Sequence, residues 1–261
     1  MNQDFLKVKN QIANIDGWLS DEEAYSLYQA AKKSSFKGVI VELGSWKGKS
    51  TICLGMGSNA GPKTKVYAID PHTGSPDHQR PGEKIWTLDE FKKNVAEAGL
   101  TFIIEPLVTT SESAVKNWKE PISLIHSDAN YEDYDLLKKD FFWWSKHVIN
   151  SGVIAIHNVS PSLYGILKGK PLHGCEAPRK VVENFILHSK NYKNIHLGGT
   201  ILYAEKCENN NLLDRWKNWL MGQKINFIYK IHWLYLKSTN FPQPLKTALK
   251  KFVKGFNTYL P

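Results

Sequence analysis

The sequence has few of the features that mark secreted and membrane-spanning proteins. It contains only three cysteines in 261 residues, at positions that match no metal-binding spacing. Its first residues show neither the basic stretch nor the apolar core of a signal peptide. No run approaches the roughly 18 apolar residues that a membrane-spanning helix needs. We therefore expect a protein of the reducing cytoplasm.

The net positive charge is also small outside the C-terminal segment. Residues 212–261 contain nine Lys and Arg and one acidic residue, Asp214, so this segment carries +8 of the formal net charge of +9. The other 211 residues are close to neutral. A nucleic-acid-binding protein usually combines a basic face with a recognisable binding module. Because the sequence contains no such module, we expect no nucleic-acid partner.

Apolar runs alternate with helical periodicity along the first 160 residues. Five of these runs are short and typical of buried parallel strands. They lie at 38–43, 65–70, 101–107, 121–126 and 152–157. Helical patterns lie between them and before them, at 17–35, 48–57, 87–98, 111–118 and 132–147. Repeated strand-helix alternation indicates an α/β fold with a parallel sheet covered by helices on both faces.

Shorter signals predict where individual elements begin and turn. Ser20 with Glu23, and Thr87 with Glu90, have the spacing of capping boxes at helix N-termini. Within 194–206, two short apolar runs flank a pair of glycines, which predicts a β-hairpin at one edge of the sheet.

The ends of the first two strands predict a nucleoside cofactor, because ligands of an open parallel sheet bind beyond the carboxyl ends of its strands. Gly44 follows strand 1, where it can adopt a positive φ and let the backbone approach a ligand. Amides of the helix after Gly48 can bind a carboxylate. Asp70, at the end of strand 2, suits both hydroxyls of a ribose. The alternative is that the glycines only form tight turns and Asp70 only caps a helix.

The type of cofactor is inferred from the nucleotide-binding motifs that these strand ends do not match. It is neither a dinucleotide fingerprint nor a Walker motif, and the buried-strand residue Glu42 would repel a pyrophosphate. A cofactor that carries a methionine ammonium and carboxylate suits the site better.

Three ordered motifs carry a resemblance to a known family: VELGSWKGKST at 41–51, VYAIDPHTG at 66–74 and GVIAIHNV at 152–159. The chain resembles the class I S-adenosylmethionine-dependent methyltransferases. Within them it is most similar to the bacterial branch of macrocin-type and other sugar O-methyltransferases and cephalosporin-hydroxylase-like proteins. The resemblance covers roughly 20–206. It implies a Rossmann-like, mostly parallel seven-stranded sheet with an antiparallel last strand.

The resemblance also implies which residues surround S-adenosylmethionine. For the methionine part they are Glu42, Gly44, Ser45 and Gly48. Asp70 would bind the ribose, and Ser111 with Glu112 the adenine.

The catalytic end of the chain departs from the family pattern. His126 stands where metal-dependent relatives carry an Asp, and Ala129 stands where they carry a general base. His157 and Asn158 replace their acidic residues after strand 5. Two carboxylate ligands are therefore missing from the oxygen-based site that Mg²⁺ prefers, and a divalent metal stays an open question.

A set of polar residues remains that is predicted to lie around one mouth: His72, His126, Asp128, His157 and Asn158. We rank Asp128 first as a catalytic residue, followed by His157 and His126, and assign His72 and Asn158 to the substrate. An imidazole can act as a general base toward a hydroxyl. The same histidines and carboxylate could instead hold a transition metal, or the histidines could serve only as structural hydrogen-bonding groups.

The predicted function is methyl transfer from S-adenosylmethionine to an oxygen of a sugar, a glycan or another small molecule, as in polysaccharide biosynthesis. Two alternatives stay open at this point. One is a protein that binds S-adenosylmethionine without transferring its methyl group, and the other is a metal-assisted, hydroxylase-like reaction on the same scaffold.

The domain prediction places the methyltransferase domain at 1–207 and a basic, aromatic-rich helical extension at 208–261. An amphipathic helix is expected at 245–256, with lysines on one face and apolar residues on the other. One interpretation is that 212–261 contacts an anionic membrane surface, which would place the protein at the inner face of the membrane. The other is that the extension packs on the body of the protein or on a second subunit of a homo-oligomer.

Overall fold

A seven-stranded sheet organises the computed structural model, which describes residues 3–74, 84–129, 132–162 and 175–237. The strands are β1 (Val39–Leu43), β2 (Val66–Ile69), β3 (Ile104–Leu107), β4 (Ile122–Ser127), β5 (Val148–Ile156), β6 (Tyr192–Gly198) and β7 (Ile201–Lys206). Their order is β3-β2-β1-β4-β5-β7-β6. The first five strands are parallel, and β7 runs antiparallel to both of its neighbours. The α/β, Rossmann-like sheet with an antiparallel last strand is therefore confirmed.

Helices cover both faces of the sheet. They are α1 (Gln3–Ile12), α2 (Asp21–Lys32), α3 (Lys49–Asn59), α4 (Leu88–Glu97), α5 (Ser111–Lys116), α6 (Tyr134–Trp144), α7 (Glu176–Val182) and α8 (Leu212–Lys237). A π-helical turn, Glu183–Leu187, continues α7. Successive residues of β1 show why two cores form. Ile40 packs with α1 to α4, whereas Val39 and Val41 pack with α6 and α7 on the opposite face.

The two predicted capping boxes have different outcomes. At α2 the box is confirmed, because the Ser20 amide donates to the Glu23 carboxylate at 2.7 Å and the Glu23 amide donates to the Ser20 hydroxyl at 3.3 Å. The box at α4 is wrong, because the Thr87 side chain makes no capping bond. Its hydroxyl instead lies 2.8 Å from Nδ1 of His72. A buried imidazole needs a hydrogen-bonding partner inside the protein, and Thr87 provides it.

The predicted hairpin is confirmed at the sheet edge. β6 and β7 pair antiparallel from Tyr192 to Lys206, and the turn between them contains Gly199 with φ +69° and then Thr200. Thr200 lies close to the carboxyl end of β5, since its carbonyl accepts the amide hydrogen of Val159 at 3.0 Å. The hairpin therefore brings a hydroxyl residue next to the strand ends where ligands bind in this type of sheet.

The long helix α8 packs beside the edge strand β6. Ile225 and Ile228 are buried against the body, and the Asn218 amide donates to the carbonyl of Tyr192 at 2.9 Å. In the described residues no helix is both long and apolar enough to span a bilayer. The amphipathic helix predicted at 245–256 lies outside the described residues, and the predicted boundary between 207 and 208 stays a prediction.

Candidate active site

A cavity of about 560 Å³ opens at the carboxyl ends of the central strands, a volume within the range of small-molecule sites. One half is lined by residues that follow β1, β2 and β3: Gly44, Ser45, Trp46, Asp70, Thr110 and Ser111. The other half is lined by residues that follow β4 and β5 and by parts of α2 and α7: Glu23, Asp128, Ala129, His157, Asn158 and Cys175. We call these the donor half and the acceptor half.

The turn after β1 brings the backbone of the donor half close to β4. Gly44 has φ +83°, and a Cβ atom at this position would lie 2.8 Å from the carbonyl oxygen of Asp128. Both the backbone conformation and the close approach therefore require glycine. Gly48, with φ +90°, precedes α3 and lies against the ring of Phe91.

Asp70 holds this turn in shape. Its Oδ2 accepts the amide hydrogens of Ser45 and Trp46, each at 2.8 Å, and its Oδ1 accepts that of His72 at 2.7 Å. A carboxylate offers about four acceptor positions, so one remains on Oδ1 after these three bonds. Asp70 lines the cavity, where its predicted bond to a ribose hydroxyl stays a prediction.

The other residues predicted around the cofactor are placed differently from one another. Ser45 lines the cavity, and its buried hydroxyl has no hydrogen-bonding partner among the described residues. Glu42 is fully buried outside the lining, where it accepts the Thr51 hydroxyl and faces His126. Glu112 also lies outside the lining, 3.2 Å from Lys116 on the surface of α5.

Ser111 lines the cavity, although its hydroxyl is engaged elsewhere. The hydroxyl donates to Asp140 at 2.6 Å and accepts the indole N–H of Trp144 at 2.7 Å. These bonds attach the start of α5 to α6, so the Ser111 side chain shapes this end of the cavity by fixing the position of α5.

The acceptor half contains a chain of three ionisable side chains. Nδ1 of His157 lies 2.7 Å from Oδ1 of Asp128, and Nε2 of His157 lies 3.5 Å from Oε1 of Glu23. The same Glu23 oxygen accepts the amide hydrogen and the hydroxyl of Thr200, at 3.0 and 2.5 Å. Glu23 and His157 are buried, whereas Asp128 is partly exposed to the cavity.

The charges of this chain follow from its contacts. Burial alone lowers the pKa of His157, but Asp128 and then Glu23 outweigh it and raise that pKa to about 10. Burial favours a neutral Glu23, but the contacts with His157, Thr200 and Ser20 lower its pKa to about 2. At neutral pH His157 is therefore protonated between two carboxylates, and it has no empty nitrogen with which to act as a base.

The two other predicted histidines lie outside the cavity lining. His72 is buried, with its ring 5.2 Å from that of Phe91, and burial lowers its pKa. His126 is buried within β4, with Nδ1 3.1 Å from Glu42 and its ring 5.9 Å from that of His157. The structure therefore brings Asp128, His157 and Asn158 to the cavity. In the described ranges, no group of three or more His, Cys, Asp or Glu side chains is arranged to hold a metal ion.

Sequence reasoning missed two contributors to this site. Glu23 was fully accounted for as a capping residue, and its second contact joins residues 177 positions apart, at Thr200. Trp18, in the connector before α2, lines the mouth with its ring 6.2 Å from that of Trp46. Exposed aromatic residues occur elsewhere in the chain, so its sequence position carried no signal.

Residues 41–159, a little under half of the chain, match a family model described as a methyltransferase domain. This segment runs from β1 past the end of β5 and contains Gly44, Asp70, Asp128 and His157. In this segment the chain is therefore similar to methyltransferase domains.

Solved structures with the same fold include several methyltransferases. The O-methyltransferase NovP superposes with a TM-score of 0.58 at 13% identity, covering 77% of this chain and 88% of that one. An SAH-bound methyltransferase from Podospora anserina gives 0.54 at 12% identity, covering 80% and 89%. A cofactor-bound protein from MTB gives 0.51 at 17% identity, covering 78% and 88%. At these identities the likeness establishes the fold.

Proposed function

We propose that the protein is an S-adenosylmethionine-dependent O-methyltransferase whose acceptor is a hydroxyl group of a sugar or glycan. The observation that carries this proposal is the contact between the two halves of the cavity. The glycine turn that would hold the donor packs on the backbone of Asp128, at a distance that excludes even a Cβ atom on Gly44. A methyl donor held by the turn would therefore lie beside the pair of Asp128 and His157.

The residues of the donor half suit S-adenosylmethionine. The unpartnered hydroxyl of Ser45 and the remaining acceptor position on Asp70 can bind polar groups of the ligand. Lys49, which also lines the cavity, can bind a carboxylate at the start of α3. The cavity lining contains five acidic side chains, which favour a positively charged ligand: Asp16, Glu23, Asp70, Asp128 and Glu132. S-adenosylmethionine, when bound, supplies a methyl group activated by a sulfonium charge.

In the acceptor half, the charge distribution supports separate roles for three residues. Protonated His157 holds Oδ1 of Asp128 at 2.7 Å. The second oxygen of Asp128 is left to accept a hydrogen bond from the acceptor hydroxyl and to take its proton as the new O–C bond forms. His157 orients Asp128, and Glu23 keeps His157 protonated. Asp128 thereby replaces the base that Ala129 cannot provide, and much of the rate increase comes from orienting donor and acceptor.

The shape of the cavity mouth favours a sugar as acceptor. Trp18 and Trp46 form an aromatic wall there, with their rings tilted by 46° to each other, and the C–H face of a pyranose ring can be buried on it. Asn158 and Glu132 also line this half of the cavity, and their side chains can hydrogen-bond ring hydroxyls. A mouth with aromatic and polar walls matches a ligand that is apolar on its ring faces and polar at its edges.

The test has two steps. Calorimetry with S-adenosylmethionine and S-adenosylhomocysteine measures donor binding. A labelled methyl donor is then incubated with the protein and a panel of free sugars, nucleotide-linked sugars, phenols and amines. We expect donor binding and transfer of the label to a sugar oxygen. Donor binding without transfer to any class would favour a binding protein, and transfer only to phenols would overturn the acceptor class.

A further inference from the structure

Helix α8 carries a concentration of exposed apolar side chains. Eight of the 17 exposed large hydrophobic residues in the described chain belong to this one helix. Five of them lie within an arc of about 80° at 100° per residue: Leu212, Trp216, Leu220, Phe227 and Leu234. Trp219 borders the same arc. We call these six residues the outer stripe of α8.

The opposite side of α8 already provides the packing that holds the helix on the protein. Ile225 and Ile228 are buried there, and Ile231 is buried between them and the edge of the outer stripe at Leu220. A surface helix needs one apolar face to pack on its domain, and the outer stripe is a second such face. Exposed apolar patches of this extent usually mark an interaction site.

The charge around the outer stripe is positive. Lys217, Lys230 and Lys237 are exposed along the helix, and Lys224 is partly exposed. Asp214 is the only acidic residue from 212 to 261. Nζ of Lys237 lies 3.9 Å from the ring centre of Trp233. Tryptophan and lysine on one exposed helix surface are typical of helices that lie in a membrane interface.

We propose that the outer stripe of α8 lies on an anionic lipid surface, with the flanking lysines against the headgroups. A second copy of the chain would bring an equally basic helix to the stripe. The segment 245–256 of the same chain would bring four more lysines. Repulsion between like charges disfavours both occupants, whereas anionic headgroups attract each lysine by about 1 kcal/mol.

This surface lies close to the acceptor half of the cavity. On the inner side of α8, the Tyr229 hydroxyl donates to the carbonyl of Cys175, a cavity-lining residue, at 3.3 Å. The lipid surface would thus lie about one helix diameter, 10–12 Å, from that end of the cavity. An acceptor sugar attached to a lipid would be presented at this distance; this consequence, unlike the lipid contact itself, rests on the proposed function.

Sedimentation of the full chain with lipid vesicles tests the proposal. Vesicles of phosphatidylcholine alone are compared with vesicles that also contain phosphatidylglycerol, and circular dichroism checks the fold of each variant. The stripe variant combines Trp216→Ser, Leu220→Ser and Leu234→Ser. Its matched control, Phe36→Ser with Phe102→Ser, removes exposed aromatic residues from elsewhere on the surface. We expect binding to the anionic vesicles to fall more than about tenfold in the stripe variant and to stay unchanged in the control.

A second pair of variants tests the charge. Lys217→Glu with Lys230→Glu should weaken the anionic binding by about 30-fold or more, which corresponds to about 1 kcal/mol for each lysine. Lys119→Glu with Lys139→Glu makes the same change in net charge at exposed positions away from α8 and should have a small effect. The proposal is overturned if the parent chain does not bind anionic vesicles, or if stripe and control variants bind alike. It is also overturned if the stripe variant instead abolishes self-association.

Discussion

The donor and acceptor halves of the cavity are built by different means. In the donor half, Asp70 accepts hydrogen bonds from the backbone amides of Ser45 and Trp46, only 25 and 24 residues away, in the turn after the neighbouring strand. In the acceptor half, Glu23 reaches His157 and Thr200, more than 130 residues away. A binding site shaped by backbone can be recognised from a short motif, whereas a reactive site shaped by side chains depends on the whole fold.

The largest effect is expected from Asp128→Asn, which tests whether the acceptor half performs the proton transfer. The amide cannot take the proton of the acceptor hydroxyl and cannot balance the charge of His157. Positioned general bases contribute about 10²- to 10⁴-fold, so kcat should fall by at least about 100-fold. Affinity for S-adenosylmethionine, measured by calorimetry, should change little.

Glu132→Gln is the matched control for that substitution, because Glu132 also lines the acceptor half of the cavity. It should lower kcat far less than Asp128→Asn. Equal losses from both substitutions would show that overall negative charge, and not the position of Asp128, supports the reaction.

The next effect concerns the donor half, where Asp70→Ala should weaken S-adenosylmethionine binding by about 100-fold or more. The substitution removes the acceptor of three backbone amides at 2.7–2.8 Å and the proposed ribose contact. Hydrogen bonds to charged groups contribute about 1.5–3 kcal/mol each. Calorimetry gives the affinity, and thermal unfolding should show a loss of stability because the turn after β1 loses its anchor.

Asp89→Ala, at an exposed position in the first turn of α4, controls for the loss of one negative charge. Its donor affinity should match that of the parent chain. If Asp70→Ala bound the donor as tightly as this control, the ribose contact would be misplaced.

Glu23→Gln tests whether Glu23, on one side of His157, helps to keep this histidine protonated next to Asp128 on its other side. The pKa of His157 is raised to about 10 by Asp128 and Glu23 against the effect of burial. With one carboxylate gone, His157 should lose its proton at a lower pH. In the pH profile of kcat/KM, we expect the fall on the alkaline side to shift to lower pH by about one pH unit or more. Glu22→Gln, at the exposed neighbouring position, should leave this profile unchanged. If Glu23 had a purely structural role, the substitution would lower kcat/KM at every pH without shifting the pH of the alkaline fall.

The same substitution predicts a pH-dependent loss of stability. The folded pKa of His157 is raised, so its contribution is complete below about 6.5 and is lost as the pH rises toward about 10. The folded pKa of Glu23 is lowered, so its contribution is complete above about 4.5 and is lost as the pH falls toward about 2. The difference in unfolding free energy between the parent chain and Glu23→Gln should therefore be largest between pH 4.5 and 6.5. A difference that is constant across pH would contradict the ion pair.

The sequence-based predictions were confirmed where a feature depends on residues close together in the sequence, and they were wrong where a distant residue takes part. Alternating apolar runs predicted β1 to β5, and the glycine pair predicted the turn between β6 and β7, because period and turn chemistry are local properties. The capping box of Ser20 and Glu23 was confirmed for the same reason. The same four-residue pattern at Thr87 was wrong because a buried imidazole, His72, competes for the threonine hydroxyl. A local pattern cannot show that competitor.

The candidate site shows the same limit. Strand-end positions predicted which part of the sheet would hold the polar residues, but they did not predict which side chains would line the cavity. His126 lies inside β4 against Glu42, whereas Asp128, two residues later, reaches the cavity beyond the strand end. Neither the connector with Trp18 nor the second contact of Glu23 has a sequence signature, since both depend on how α2 packs against the hairpin and the strand ends.

The smallest effect is expected from Trp18→Ala, which tests whether the aromatic residues at the cavity mouth bind the acceptor. Trp18 contributes no group that reacts, so kcat should change little while KM for a sugar acceptor rises. Losing an aromatic surface of this kind costs about 0.5–1.5 kcal/mol, which predicts an increase in KM of about two- to twelvefold. Trp86→Ala, an exposed tryptophan outside the cavity lining, is the matched control and should leave KM unchanged. If Trp18→Ala instead weakened S-adenosylmethionine binding with KM for the acceptor intact, the aromatic pair would belong to the donor half, and its support for a sugar acceptor would be lost.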